Sequence, residues 1–383
     1  MTGITSQSIL QNSQLIVIKV GSVLVRGQGL EDVNQSWLDA LADDIKAMMD
    51  EGKKVIVVSS GGVALGRKAL GIAADMPPGD IPLAKKQAAS SVGQYHVFNG
   101  YFKALARHGV NAAQVLLTMS ETENRRMNLN ARETLHTLLD SGIVPVINEN
   151  DTVSTGEIRF GDNDRLSVRV AQMIRADGVL LLSTTDGLYT DNPDTNKDAE
   201  FLPVVEDITD KHIQMAGDAI PGLSTGGMKS KLEAAISATK AGIHLIIAEG
   251  RENHALSTLT RSDEKKSTLF IAQNCANNAR KIWLRAHMNP KGRIIVDDGA
   301  LSALNSGKSL LPVGVVKVEG DFLRGDVIEI LDSLEKKIGM GISAYSAHDA
   351  NKIIRKNSKD IHAILGYIGR NEIVHRNDMV LDF

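Results

Sequence analysis

Leu15-Ile-Val-Ile-Lys-Val-Gly-Ser22 is the stretch from which the fold is read. Apart from Lys19, its first six residues are apolar on both alternating faces, as in a strand covered on two sides. Downstream, Trp37, Leu41, Ile45, Met48 and Met49 recur at helical spacing, and Gly52 stands where a helix would stop. A second apolar run, Val55-Ile-Val-Val58, follows. The same strand, helix, strand rhythm continues through Val115–Leu117, Val144–Ile147, Val179–Leu182 and Leu245–Ile247. This predicts an α/β fold, a three-layer α/β/α sandwich with a mostly parallel sheet. Open sheets of this kind take ligands at the carboxyl ends of their strands. The turns Lys19–Ser22, Ser59–Gly62, Asn148–Asp151 and Ser183–Gly187 should therefore lie along one rim.

At 383 residues the chain is too long for one ordinary core and fits two domains. The pattern weakens after Gly250, where the charged run Arg261-Ser-Asp-Glu-Lys-Lys266 and the polar Asn274-Cys-Ala-Asn-Asn278 occur. Beyond them, Gly292–Asp298, Pro312–Val318 and Gly325–Ile330 read as short strands punctuated by glycine, a small β-rich domain. The expected boundaries are 14–262 for the first domain, 263–284 for a linker and 285–370 for the second domain.

A formal charge of −3 gives no general attraction to nucleic acid or an anionic membrane. Residues 285–383 carry 14 Lys and Arg against 13 Asp and Glu, so charge does not support RNA binding by the second domain. Cys275 is the only cysteine, so no internal disulfide can form. It reads as a small buried side chain before a catalytic one. The first residues lack the basic start and apolar run of a signal peptide, and no stretch reaches the roughly 20 apolar residues of a membrane span. The expected setting is the cytoplasm, with no membrane partner.

Two lysines on glycine-bearing turns, Lys19 and Lys231 of Thr225-Gly-Gly-Met-Lys-Ser-Lys231, suggest phosphoryl transfer. That reaction needs positive groups on the transferring oxygens and aligned reactants more than covalent help. Gly222-Leu-Ser-Thr-Gly-Gly227 has the glycine spacing of a nucleotide P-loop, but Met228 replaces the required lysine. It reads equally as an ordinary connection or as a turn whose amides, with Lys231, reach phosphate at the start of a helix over 229–240. Gly161-Asp-Asn-Asp164 would cap the helix that follows, yet one cap residue would suffice. With Val144-Pro-Val-Ile-Asn-Glu-Asn-Asp151 before it, the extra acids and amides read better as a polar site. Ser59-Ser-Gly-Gly62 is either a tight turn or a set of donors for a substrate carboxylate. Asp186-Gly-Leu-Tyr189 reads first as a turn and second as nucleotide-facing. No His-x-x-x-His or Cys-x-x-Cys spacing occurs, so no residues are read as a metal site.

Taken in order, Ile18-Lys-Val-Gly-Ser22, Ser59-Ser-Gly-Gly62, Asn128-Leu-Asn-Ala-Arg132, Pro145-Val-Ile-Asn-Glu-Asn-Asp151, Gly161-Asp-Asn-Asp164, Asp186-Gly-Leu-Tyr189 and Thr225–Lys231 resemble the amino acid kinase family over nearly the whole chain. The carboxyl-terminal part is similar to a PUA domain, a small β-barrel, through Gly292–Ala300, Gly307–Pro312, Gly325-Asp326 and Ile364–Tyr367. Kinase plus PUA module marks the glutamate-specific branch, since the aspartate, acetylglutamate, carbamate and uridylate kinases lack the module.

The resemblance implies transfer of the ATP γ-phosphoryl group to the side-chain carboxylate of L-glutamate, giving L-glutamyl 5-phosphate in the first step of proline biosynthesis. Lys19 and Lys231 would stabilise the transferring group and Asp164 would hold them, the three being the implied catalytic residues. Ser60, Asn148, Asp151, Asp162 and Asn163 would frame glutamate. Lys19, Ser183, Thr184, Thr225, Gly226, Gly227, Met228, Lys229, Ser230 and Lys231 would bind ATP. It further implies Mg2+ with ATP, proline as feedback inhibitor, a homo-oligomer, and glutamyl phosphate reductase as a partner. Relatives often carry Thr-Asp where this chain has Ser183-Thr184, which leaves that aspartate's contact open, with Asp186 as its alternative. The competing readings are an amino acid kinase acting on another carboxylate such as aspartate, and an RNA-binding protein acting through the PUA-like module.

Overall fold

The computed structural model describes residues 4–27, 32–73, 75–154, 163–193, 195–215, 227–262, 265–273, 290–367 and 369–381. The chain forms two compact units, Met1–Ala276 and Asn277–Phe383.

The first unit is built on an eight-stranded sheet of β1 (Leu15–Val20), β2 (Lys54–Val58), β3 (Ala112–Leu117), β4 (Val144–Glu149), β5 (Gly178–Ser183), β8 (Val204–Val205), β9 (His244–Glu249) and β10 (Ser267–Phe270), in the order β3-β4-β2-β1-β5-β9-β10-β8. The short strands β6 (Leu188–Tyr189) and β7 (Phe201–Leu202) form a hairpin of their own. All neighbours in the large sheet are parallel except β9 and β10.

Strand alternation divides the side chains of β1 between two cores. Ile16, Ile18 and Val20 pack with Trp37, Leu38, Leu41 and Ile45 of the helix Gln35–Asp50 and with Val97 and Tyr101 of the helix Leu83–Ala106. Val17 faces the opposite core, with Leu135 of the helix Arg125–Asp140, Leu166 and Val170 of the helix Asn163–Ile174, and Leu232 and Ala235 of the helix Met228–Lys240. The expected three layers follow. Full burial of such a side chain contributes roughly 1.5–3 kcal/mol. Lys19 has the parity of Val17, so it points toward the layer that holds the helices starting at Asn163 and Met228. Gly52, at φ 84°, ends the helix Gln35–Asp50 as expected.

β1 sits between β2 and β5, where the connections turn in opposite directions, which is the usual crevice for a ligand. The rim is laced by backbone bonds: Gly21 N donates to Leu182 O (3.1 Å), Ser59 N to Ile147 O (2.8 Å) and Gly250 N to Ser183 O (2.9 Å).

The second unit carries a mostly antiparallel five-stranded sheet, β11 (Gly292–Val296), β12 (Val315–Gly320), β13 (Val327–Leu331), β14 (Lys337–Ile342) and β15 (Met379–Leu381), in the order β12-β11-β13-β14-β15. Only β11 and β13 run parallel. Its own core gathers Ile294, Val296, Val315, Ile328, Ile330, Tyr345 and Ile353.

Two expected boundaries differ. The stretch 263–284, read as a linker, contains β10, whose Thr268, Leu269 and Phe270 are buried in the first sheet. Four residues behind a charged run are too short a signal to separate from a loop. The second unit also continues past residue 370 through β15, which pairs with β14. No described helix is long and apolar enough to cross a membrane.

Candidate active site

The two lysines singled out in the sequence meet on one carboxylate. Lys19 Nζ lies 2.6 Å from Asp164 Oδ1, and Lys231 Nζ donates to Oδ2 at 2.9 Å. At that separation Lys19 and Asp164 form a close ion pair. All three residues are buried, Asp164 to 1% exposure. Each comes from a strand end or a helix start: Lys19 from the end of β1, Asp164 from the first turn of Asn163–Ile174 and Lys231 from the first turn of Met228–Lys240. Burial alone would raise the Asp164 pKa, but the charges of Lys19 and Lys231 outweigh it and hold the group at about 2. Asp164 is therefore an anion at any physiological pH. Among the described residues, one carboxylate here faces two ammonium groups.

Beside this cluster is a cage of amides. Asn163 Nδ2 is within hydrogen-bond distance of Ser59 O (2.5 Å), Ser60 Oγ (2.9 Å) and Asn148 Oδ1 (2.9 Å). Asn148 Nδ2 donates to Gln94 Oε1 at 2.9 Å. Asp151 accepts a short hydrogen bond from Ser90 Oγ, and its pKa is raised by burial against the pull of that bond. Ser60, Asn148, Asp151 and Asn163 are thus drawn into one region with Lys19 and Asp164, which Asn163 adjoins in the chain. Asp162 lies outside the described residues, as does Gly161.

On the other side of β1, the register Val20 opposite Leu182 sets Ser183 and Thr184 next to the Gly21 turn. Gly227 opens the helix Met228–Lys240 without a side-chain cap hydrogen bond, and a helix start of this polarity favours an anion. Ser230 Oγ is 3.5 Å from Asp164 Oδ2, Met228 packs on the core, and Lys229 is exposed. Thr225 and Gly226 lie outside the described residues, and so does Cys275. Asp186 accepts from Tyr189 Oη at 2.8 Å, a contact within its own turn.

The carboxylates described here do not fit a protein-held divalent cation. Both oxygens of Asp164 are engaged by ammonium groups and Asp151 is bonded to Ser90, while Mg2+ prefers free carboxylate oxygens or phosphates. Among the described residues, no group of three acidic, histidine or cysteine side chains is arranged for a metal.

The sequence reading missed the helix Leu83–Ala106. Its Gln87, Ser90, Ser91 and Gln94 bond to Ser154 O (3.0 Å), Asp151, Thr152 Oγ1 (2.9 Å) and Asn148, so one face of the helix braces the whole turn after β4. Their spacing of three, four and seven is a helical stripe of polar residues, and that was the available signal. Tyr101 of the same helix, fully buried, lies 3.2 Å through Oη from Ser59 Oγ.

Residues 14–249 match the Amino acid kinase family and residues 292–365 the PUA domain. Glutamate 5-kinase of Rhodopseudomonas palustris (strain BisA53) is 47% identical over 372 residues, covering 97% of each chain. Glutamate 5-kinase of Brucella ovis is likewise 47% identical, over 374 residues and 97% of each chain. Among solved structures, UMP kinase from Ureaplasma parvum aligns with TM-score 0.48 at 13% identity over 68% of this chain and 99% of that one, a likeness too slight to add to these. With a buried lysine, aspartate, lysine cluster at the rim of a parallel sheet and a family match over most of the first unit, the chain belongs to the amino acid kinase family.

Proposed function

We propose that this chain transfers the γ-phosphoryl group of ATP to the side-chain carboxylate of L-glutamate, giving L-glutamyl 5-phosphate and ADP, the step that opens proline biosynthesis. The observation that carries the chemistry is the pair of buried ammonium groups fixed on Asp164 beside the amide and acid cage. The choice of glutamate is supported by the 47% identity to glutamate 5-kinases along almost the full chain.

The nucleophile needs no general base, because a glutamate side chain with pKa about 4.3 is ionised at neutral pH. One carboxylate oxygen forms the new bond to the γ-phosphorus while the bond to the β,γ-bridging oxygen breaks, and ADP leaves with that electron pair. Lys19 and Lys231 stabilise the charge on the transferring oxygens. Asp164 keeps both ammonium groups oriented before reactants arrive, so little reorganisation accompanies the reaction. Ser60, Asn148, Asp151, Asp162 and Asn163 hold glutamate, with the acids toward its α-ammonium. Ser183, Thr184 and residues 225–231 hold the nucleotide, and a divalent cation such as Mg2+, if it accompanies ATP, would offset phosphate charge without a protein-held site. Proline, which shares the α-carboxylate and ammonium, inhibits at the same cage. A homo-oligomer, a cytoplasmic setting and delivery of the acyl phosphate to glutamyl phosphate reductase rest on the family alone.

ADP release at fixed ATP across a panel of amino acids tests this reading. Glutamate alone should give a strong signal; a stronger response to aspartate would replace it with the related reaction on another carboxylate.

A further inference from the structure

The amide cage has a fixed polarity, and it starts from groups that cannot be reversed. The backbone N–H of Glu149 can only donate, and it donates to Asn148 Oδ1 at 2.8 Å. The carbonyl of Ser59 can only accept, and it takes Asn163 Nδ2 at 2.5 Å. Asn148 must therefore present its oxygen to Asn163, and its own Nδ2 must find an acceptor elsewhere. Gln94 Oε1 is that acceptor, at 2.9 Å, on a side chain that is itself buried. The far end of the relay is Asn163 Oδ1, buried and without a hydrogen-bond partner among the described residues. A buried carbonyl oxygen left open is an acceptor kept for a donor.

Gln94 is held in register by unusually close helix packing. A Cβ on Gly93 would fall 1.9 Å from Gly62 O, and one on Gly66 would fall 1.8 Å from Ala89 O. The helix Leu83–Ala106 thus lies backbone against backbone on Gly62–Gly66, the helix that follows the Ser59–Gly62 turn. The same contact that seats Gln94 under Asn148 also fixes the turn that holds Asn163.

We propose that Gln94 is a positioning residue for the amino acid substrate: by accepting from Asn148 Nδ2 it orients the relay so that Asn163 Oδ1 faces the substrate's α-ammonium. This rests on the proposed glutamate kinase reading. Gln94 touches no reacting atom, so its effect falls on glutamate binding and not on phosphoryl transfer.

The test compares Gln94→Met, which keeps the volume and loses the acceptor, with Gln94→Glu, which keeps an acceptor. Leaving a buried donor unsatisfied corresponds to roughly a tenfold weakening. Gln94→Met should raise the KM for glutamate about tenfold, with kcat and the KM for ATP within about twofold of wild type, and Gln94→Glu should restore most of the loss. If Gln94→Met does not fold, Gln94→Ser, too short to reach Asn148, decides by the same constants. An unchanged glutamate KM, or a fall in kcat shared by Met and Glu variants, overturns the role of Gln94 while the wild-type enzyme still consumes glutamate. A wild-type protein that gives no glutamate-dependent ADP overturns the functional reading itself.

Discussion

Lys19 and Lys231 grip opposite oxygens of a single buried carboxylate, at 2.6 and 2.9 Å, although they lie at opposite ends of the first unit's sequence. Neither lysine is placed by its own loop alone. Strand parity aims Lys19 at the layer of the two helices, and the starts of those helices carry Asp164 and Lys231 to meet it.

Asp164→Asn removes the charge both lysines share. Two buried ammonium groups then lose their counter-ion, a loss of the kind that costs roughly 3–5 kcal/mol. A lower Tm and a large fall in kcat are expected together. In the wild type Asp164 is held at about 2 against an ordinary 3.8, so its contribution is present above pH 3.8 and is lost as pH falls through 3.8 toward 2. That part of the acid limb, about 2 kcal/mol, should be missing from urea unfolding of Asp164→Asn measured against pH.

Asp151→Asn should raise the KM for glutamate by about 10- to 150-fold, the equivalent of one charge-assisted hydrogen bond, and weaken proline inhibition in parallel. The KM for ATP should move little. Burial raises the wild-type Asp151 pKa against the pull of the Ser90 hydrogen bond, so on acidification its carboxylate takes up a proton sooner than an ordinary aspartate does. Glutamate KM should therefore rise on acidification in the wild type and be flatter in the Asn variant. A rise in the ATP constant instead would assign this acid to the nucleotide.

Gly93→Ala tests the packing under the cage. Its methyl group would meet Gly62 O at 1.9 Å, and backbone on both sides leaves little room to yield. Overpacking of this kind costs about 1–3 kcal/mol or more. Thermal unfolding should show a clear drop, with glutamate KM rising as the Ser59–Gly62 turn shifts. A Tm equal to wild type would mean that the two helices separate freely.

Much of this was legible in the sequence because its signals are strong where burial is complete. Leu15–Val20 was read with the bounds that β1 has, and the runs at Val55, Val144, Val179 and Leu245 all became strands of the sheet. The two lysines were suggested by their glycine-bearing turns, whereas Asp164 as the group between them was implied by the family resemblance; the fold brings all three side chains together. The helix Leu83–Ala106 was harder to read. Small and apolar residues lie on several of its faces, so no single apolar stripe announces the side that carries Ser90 and Gln94. β10 was hidden behind the charged residues at 261–266, and β15 is three residues long, too short for any period to register.

The most direct test of phosphoryl transfer to a carboxylate is to trap the product. An acyl phosphate reacts with hydroxylamine to give a hydroxamate, so wild-type protein with ATP, glutamate and hydroxylamine should form glutamyl hydroxamate and ADP in equal amounts. Lys19→Ala and Lys231→Ala should each lower kcat for both products by about 10²- to 10³-fold with little change in glutamate KM, because these charges act where phosphoryl charge develops. ADP without hydroxamate in the wild type, or an unchanged kcat in both lysine variants, would contradict the account.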